Sequence, residues 1–499
     1  MYLLGIDNGS TVIKAGLFDY EGKEIAVFGG RVDSNTPQPG YYERNLDEIW
    51  AVNIDVIKGV MAKAGISGEE ITAIAITGHG NGIHLIDDHG LPVYPSIEGT
   101  DSRAIDYVNQ WVADGTFDRV LPKTMQSLWP AQPAAILAWL KDNEPEVLKK
   151  ARWVLMVKDY IRFKITGEVF AELTDMSATS IFNVRDVSYD EDLLHEFGIG
   201  DVLEKLPPIK YSTDICGEVT AEVAALTGLQ EKTPVAGGFF DVDAAAIATG
   251  ITDESKMNVI AGTWCNNQYI SNKPVVSKDL FMTSVYAKPG YWLILEGSPT
   301  SASNLEWFVA EFLKEEQKIA EAQGTSVYAV CNNEVKSTSP QESNVFFIPF
   351  LYGSNAGQKA KASFIGLAGH HKRADVIRAI YEGIVFSHKT HIGKLLKYRK
   401  TPEIIRIAGG AAQSEVWIQM FADILQVPIE VTAGTELGAM GAAICAGAGA
   451  GVFADLDEGV NAMVQVKKRV DPDPSLKDVY EKKYQRYHQA ISALESFWE

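Results

Sequence analysis

The chain opens on an apolar run, residues 2–6, broken by Asp7 and the turn residues Asn8, Gly9 and Ser10, after which β-branched and apolar residues resume over 12–18. Apolar runs on either side of turn chemistry predict a β-hairpin with Asp7 at the end of its first strand. A third strand is predicted over 24–29, then a helix over 46–63 from apolar residues at helical spacing. The continuous β-branched run 71–77 predicts a strand buried on both faces, the mark of an α/β sheet.

Between about 100 and 210 the pattern turns helical and polar, with helices predicted over 101–113, 133–143 and 158–167. A strand over 234–240 then runs through Gly237 and Gly238 into an alanine-rich helix beginning near Asp241. A second strand–turn–strand follows over 257–261, Gly262-Thr263 and 264–270. Ala236-Gly237-Gly238 is echoed by Ala408-Gly409-Gly410 ahead of a helix over 415–425. One half repeats the other in outline, predicting a duplicated α/β core, a boundary near 245–255 and a cleft between the halves. A helical tail over 475–497 sets Tyr480, Tyr484 and Tyr487 on one face, a stripe read as packing.

Composition narrows the function. The 499 residues, 46% of them hydrophobic, suffice for two or three domains. A net charge of −20 without a basic tract argues against nucleic acid as a partner. Glycine turns and helix N-termini can still hold phosphate locally. Four cysteines without CxxC spacing suggest reduced thiols. The first residues lack the basic start and apolar stretch of a signal peptide, and no run of 18 apolar residues occurs. The expectation is a cytoplasmic protein with no membrane partner.

P-loop, HExxH and GxSxG signatures are absent. What remains are tight turns after strands: Asp7 to Thr11, Gly262-Thr263 and Gly409-Gly410. Taken singly, each equally suits ordinary positive-φ geometry. Their order resembles the sugar-kinase, actin and chaperone ATPase superfamily, and within it the FGGY carbohydrate kinases. The segment Pro133 to Asn143 resembles that family's first signature, though Ile136 stands where a lysine is usual. The segment Ala362 to Glu382 resembles the second, with Val376 off-pattern, and Thr435-Glu436 through Ala443 resembles a late family stretch.

The resemblance covers almost the whole chain. It implies two duplicated ribonuclease H-like domains with a cleft between them: 1–248 for sugar, phosphate hairpin and catalytic Asp, 249–499 for nucleotide. It implies Asp241 as the base that takes the sugar hydroxyl's proton; read alone, Asp241 is also a favourable acid at a helix N-terminus. Asp243, two residues on, is read as a helix cap. Asp7 is implied as the Mg²⁺ carboxylate, and Ser10, Thr11 and Lys14 as phosphate-hairpin residues, Lys14 replacing a common arginine. Gly262 and Thr263 match the second phosphate turn, and Gly409, Gly410 and Ser414 the late nucleotide contacts. ATP and Mg²⁺ are the implied cofactors.

On the sugar side, His79, Gly80, Asn81, Asp101 and Arg103 occupy the positions of the family's substrate loops. Gly80 stands for a larger residue and Gly99 for a tryptophan, which suggests a roomier pocket suited to a five- or six-carbon ketose or sugar acid. The stretches 298–307, 350–357 and 381–388 resemble the L-xylulose (3-keto-L-gulonate) kinase branch. Asn81 replaces a lysine common there, and Val242 replaces a polar residue. The expected activity is ATP-dependent phosphorylation of a primary hydroxyl of L-xylulose or a related keto-sugar, with D-xylulose as alternative; an actin- or chaperone-like ATPase switch is the rival of another class. Dimers are common in the family, so a homodimer is carried as an expectation. His388 and His391, three apart on a predicted helix, are read as a packed or surface pair rather than a metal site.

Overall fold

In the computed structural model, which describes residues 1–354, 357 and 359–498, the first hairpin forms as its pattern predicts. The strand Tyr2–Asn8 pairs antiparallel with Ile13–Phe18, setting Asp7 opposite Lys14, and parallel with Ile71–Gly78, setting Asp7 opposite Thr77. Leu3, Leu4 and Ile6 are fully buried, each contributing roughly 1.5–3 kcal/mol. Asp7 is therefore fixed by a strand flanked on both sides.

The chain divides into two compact units: 1–252 with 270–294 and 434–465, and 253–269 with 295–433 and 466–499. In the first, the sheet runs Ile215–Glu218, Pro234–Ala236, Ile71–Gly78, Tyr2–Asn8, Ile13–Phe18, Glu24–Gly30, with Phe239–Phe240 also paired to Ile71–Gly78. The strand predicted over 234–240 is split because Gly238 takes φ 86°, and a Cβ there would lie 1.8 Å from the Ile76 carbonyl oxygen. Only glycine allows this approach, and it aims the following helix, Asp241–Ala248. The helix Leu46–Ala64 covers the sheet, its start capped by Asn45 and its end by left-handed Gly65, the Asn cap worth about 1 kcal/mol.

The late segment 434–465 joins the first unit through the small-residue helix Leu437–Gly449. A Cβ on Gly5 would meet the Ala439 carbonyl oxygen at 1.8 Å, and one on Gly441 the Ala244 carbonyl oxygen at 2.3 Å. That composition, too short to span a bilayer, serves close helix–sheet and helix–helix contact. The helix predicted from 101 begins instead at Ile105, because Asp101 and Arg103 close a turn.

In the second unit Lys256–Ala261 pairs antiparallel with Cys265–Ser271 and parallel with Ile404–Ala408, repeating the pairing of the opening strand. This is the duplicated ribonuclease H-like α/β core. The tail helix Lys477–Trp498 buries Tyr480 and Tyr487, as the packing reading expects. Among the described residues no helix is long and apolar enough to cross a membrane. Within the stretch 350–357, Asn355 and Ala356 lie outside the described residues.

Candidate functional site

The sequence-predicted residues fall into two groups, one in each unit. In the first unit, Thr77 Oγ1 donates to the Phe239 carbonyl at 2.8 Å and the Phe240 N–H donates to Thr174 Oγ1 at 2.9 Å. Thr174 Oγ1 in turn donates to Glu172 Oε2 at 2.8 Å. The two residues ahead of Asp241 are thus clamped from both sides, and Asp241 is half-buried at the first position of its helix.

Asp7 and Asp241 interact. Burial first, and the Asp7 charge second, push the Asp241 carboxyl up to about 7, against the Val242 backbone hydrogen bond. Burial also pushes Asp7 up to about 7, opposed by Lys14 and assisted by Glu436. Lys14 Nζ holds Glu436 Oε2 at 2.7 Å. A Cβ on Gly438 would stand 2.1 Å from Asp7 Oδ2, so the following helix leaves room for the carboxylate only as glycine. Ser10 and Thr11 are exposed in the bend beyond Asp7.

Asp243 corrects one expectation. The helix it was expected to cap receives no side-chain cap; Asp243 is fully buried and its Oδ1 accepts from the Ala287 N–H at 3.3 Å. Burial, with Glu172 and other carboxylates nearby, raises it well above the usual carboxylate range. Through Glu172 and Asp175 it feels a buried cluster that also holds Lys158, Asp159 and Arg162, within the stretch whose pattern predicts a polar helical lobe. Burial alone would lower Lys158; the surrounding Asp159, Glu172 and Asp175 outweigh it and hold the ammonium charged.

The sugar-loop residues sit apart in role. Arg103 Nε and Nη2 donate to Asp101 at 3.0 and 2.9 Å, Nη2 also to Glu43 at 2.8 Å, and both side chains of the Asp101–Arg103 pair are 0% exposed. Asp101 further accepts from the Tyr42 N–H. The pair is spent on holding its own turn. Arg44 Nη2 donates to His79 Nε2 at 2.9 Å while held by Glu98 at 2.8 Å. That contact makes His79 Nε2 the acceptor, leaving the proton on Nδ1; burial lowers the ring from its ordinary value, Glu98 acting against it. Burial alone would raise Glu98, but His79 and Arg44 outweigh it and hold the carboxyl low. Asn81 is left-handed at φ 62°, and its buried Oδ1 has no hydrogen-bond partner among the described residues.

The expected extra room is filled. A Cβ on Gly80 would meet the Phe240 ring at 2.3 Å, and one on Gly99 the Gly80 carbonyl oxygen at 2.7 Å. Trp129 Nε1 donates to the Gly99 carbonyl at 3.2 Å. Arg44, Glu98 and Phe240 were missed in the sequence because nothing local to them marks a site; Glu436 and Gly438 lay in a recognised stretch but had no assigned role.

In the second unit, Gly409 has φ 86° and its Cβ would lie 2.7 Å from the Ala261 carbonyl and 2.8 Å from Gly262 N, so these two turns touch. The nearest atom to a Cβ on Gly262 is 4.0 Å away, and to one on Gly410, 3.8 Å; no packing demand explains either glycine. Thr263 is exposed. Beside Gly410 a cavity of about 400 Å³ is lined by Leu305, Tyr328, Asn332, Tyr381, Ser414 and Trp417 among others. Ser414 Oγ donates to Asn332 Oδ1 at 2.6 Å and caps the helix Glu415–Leu425. Tyr381 stacks on Trp417 with centroids 4.4 Å apart. His388 and His391 are buried and occupied by protein partners.

Among the described residues no group of three or more His, Cys, Asp or Glu side chains could hold a metal ion. A hard oxygen site of one carboxylate, Asp7, is nonetheless the pattern in which Mg²⁺ binds when substrate phosphates and water complete its shell. The raised Asp7 carboxyl fits a position that gains from a cation.

Residues 2–248 match the N-terminal domain, and residues 257–450 the C-terminal domain, of the FGGY family of carbohydrate kinases. The chain is 37% identical over 497 residues to the L-xylulose/3-keto-L-gulonate kinase of Escherichia coli strain K12, covering 99% of this chain and 98% of that one. It is 26% identical to the xylulose kinase of Bacillus subtilis strain 168, covering 99% of each. The crystal structure of xylulose kinase from Rhodospirillum rubrum superimposes with a TM-score of 0.89 at 26% identity, covering both chains fully. Kinases of the family act on a sugar with ATP, typically with a divalent metal ion. With both of its domains matched in order and a relative this similar along the full chain, the protein belongs to the FGGY family of carbohydrate kinases.

Proposed function

We propose that this chain transfers the γ-phosphoryl group of ATP to a primary hydroxyl of a ketose, L-xylulose first and D-xylulose second. The observation that carries the reading is the clamped Asp241, raised to about 7 beside Asp7. A base poised near neutrality suits removal of a hydroxyl proton, a contribution of roughly 10²–10⁴ in rate. Asp241 takes the proton as the sugar oxygen bonds to the γ-phosphorus, and the bond from that phosphorus to the β,γ-bridging oxygen breaks to leave ADP.

Residues 1–248 carry the sugar and catalytic groups and 249–499 the nucleotide in this reading. Gly262 and Thr263 approach the phosphates because no side chain fills that space, and Gly409, Gly410 and Ser414 border the nucleoside cavity. Ser10, Thr11 and Lys14 form the other phosphate turn, Lys14 exchanging Glu436 for phosphate. Asp7 would hold Mg²⁺, with water between or directly. Bound there, the ion neutralises polyphosphate charge.

The unpartnered Asn81 Oδ1 offers an acceptor to a sugar hydroxyl, and His79 Nδ1–H, held only by a long 3.5 Å contact to the Gly80 carbonyl, a donor. Asp101 and Arg103 shape that loop rather than touch the sugar. The neutral Asn81 favours a neutral ketose over a sugar acid, and the similarity to the Escherichia coli enzyme supports the L-xylulose assignment. A cytoplasmic homodimer completes the proposal, the dimer checked by light scattering during size exclusion.

The test is coupled ADP release with Mg-ATP against L-xylulose, D-xylulose, the ribuloses, 3-keto-L-gulonate, gluconate and glycerol, with Asp241→Asn alongside. Stimulation by one ketose, abolished in the variant, is the expected result. A slow rate indifferent to every sugar and to Asp241→Asn overturns it in favour of a nucleotide switch.

A further inference from the structure

His388 lies deep in the second unit on the helix Arg373–Leu395, fully buried, and its ring is engaged at both nitrogens. Nδ1 faces Asn267 Oδ1 at 2.8 Å, with Cys265 Sγ at 3.2 Å, and Nε2 faces Ser301 Oγ at 2.9 Å. The Asn267 amide is oriented by its own donation to the Glu296 carbonyl at 3.2 Å, which leaves Oδ1 as acceptor for the imidazole. His388 is thereby the tautomer protonated on Nδ1, and Nε2 accepts from the Ser301 hydroxyl. Burial, with His391 adding, holds the ring far down at about 3, so it stays neutral.

Those partners lead to one place. Cys265 and Asn267 belong to the strand that leaves the Gly262-Thr263 turn. Ser301 opens a tight bend whose next two residues grip that turn from beneath: the Ala302 N–H donates to the Gly262 carbonyl at 2.8 Å, and Ser303 Oγ donates to the Thr263 carbonyl at 3.2 Å. The bend is itself held by Asn304 Nδ2, which donates to Thr300 Oγ1 at 2.7 Å and to the Ser301 carbonyl at 2.8 Å. In a planar trans peptide the N–H points opposite to the carbonyl. Drawing the Gly262 carbonyl inward therefore turns the Thr263 N–H outward, on the face where the space above Gly262 is open.

We infer that His388 is a positioning residue for phosphoryl transfer: through Ser301 and through Asn267 it fixes the Gly262-Thr263 turn with its N–H groups presented to the phosphates of ATP. The inference rests on the reading of that turn as a phosphate cradle. His388 touches neither substrate; its effect passes through two hydrogen-bonded segments that meet at the turn. Phenylalanine would fill the volume of His388 but could neither accept from Ser301 nor donate to Asn267, which is what separates positioning from packing.

The test uses the full-length protein with Ser301→Ala, Ser303→Ala, His388→Phe and His388→Gln. KM for ATP, KM for the accepted ketose and kcat are measured, together with hydrogen exchange of the backbone over 261–265 with and without ADP. Ser301→Ala and His388→Phe are expected to raise KM for ATP by roughly 10-fold, the loss of about one good hydrogen bond. They should leave KM for the sugar unchanged and speed exchange over 261–265. His388→Gln, which can still accept from Ser301, should recover part of the loss. Ser301→Ala combined with His388→Phe should be no worse than the more severe single change, because both cut one chain. Ser301→Ala removes a single oxygen, so the test survives if His388→Phe does not fold. Wild-type KM for ATP and wild-type exchange in folded Ser301→Ala and Ser303→Ala would overturn the inference alone. Failure of ADP to protect 261–265 in the unaltered protein would instead overturn the phosphate reading beneath it.

Discussion

Replacing Asp241 by Asn should make the ligand-free protein more stable in alkali while destroying its activity. Asp241 moves from 3.8 to about 7 in the folded chain because burial, and then the charge of Asp7, disfavour its ionised form. In the unfolded chain it titrates near 3.9. Between roughly pH 4 and pH 7 the folded state therefore holds a proton that the unfolded state has lost, and stability falls as pH rises, by about 1.4 kcal/mol per pH unit. The carboxyl's contribution is fully present below pH 4 and is lost once pH passes 7. The displacement from 3.8 to about 7 sets a ceiling of about 4 kcal/mol, reduced in practice because Asp241 is only half-buried and water screens its exposed edge.

Asn has nearly the same shape and no charge to desolvate. Thermal unfolding of wild type, Asp241→Asn and Asp7→Asn without nucleotide or metal, at pH 5, 7 and 8.5, reads this directly. A domain of this size shifts by roughly 2–4 °C per kcal/mol, so Asp241→Asn should melt up to about 10 °C above wild type at pH 8.5 and by about a third of that at pH 5, one unit into the window. Asp7→Asn should show a similar gain and, by removing the second contribution to Asp241, should move the remaining transition to lower pH. Equal pH slopes in wild type and Asp241→Asn, or a less stable variant at pH 8.5, would refute the argument that this pair stores electrostatic strain for catalysis.

Three further outcomes follow from other contacts. Gly438→Ala places a methyl 2.1 Å from Asp7 Oδ2 and 2.6 Å from its Cγ, so the whole carboxyl group must be displaced; stability should fall by roughly 1–3 kcal/mol and kcat by at least roughly 100-fold, read by calorimetry beside steady-state kinetics. Lys158→Met leaves the buried Asp159, Glu172 and Asp175 without their ammonium and should cost about 3–5 kcal/mol, seen as a large loss in denaturant midpoint. Asn81→Lys puts a cation in the sugar loop and should raise kcat/KM for 3-keto-L-gulonate relative to L-xylulose by roughly 10-fold, measured by competition; an unchanged ratio would remove Asn81 from the specificity argument.

What the sequence made legible and what it hid divide along a physical line. The hairpins and the repeated halves were readable because apolar runs and glycine turns are local signals, whereas the break in the strand predicted over 234–240 was not, since it comes from the φ of 86° at Gly238. Asp7 and Asp241 could be picked out only through the resemblance, yet what makes them a pair is non-local: a strand at residue 7 and a helix start at 241 are brought together by their shared neighbour Ile71–Gly78. Charge patterning misled where burial overrode it. Lys158, Asp159 and Arg162 look like one solvated face of a helix, but Glu172 and Asp175 from a later turn neutralise them and let all five sink to 0–1% exposure. Asp243 misled in the same way, its sequence neighbours suggesting a cap when the Ala287 N–H, 44 residues away, is its partner. Gly80 and Gly99 carry the same lesson in volume rather than charge. A small residue predicts space only if nothing else moves in, and here the Phe240 ring, delivered by the very glycine turn that aims Asp241, occupies the space beside Gly80. If, as proposed, the loop at Gly80 holds the sugar and Asp241 is the base, the Phe240 ring couples the two, and a substitution at Gly80 should disturb catalysis through Phe240 as much as binding.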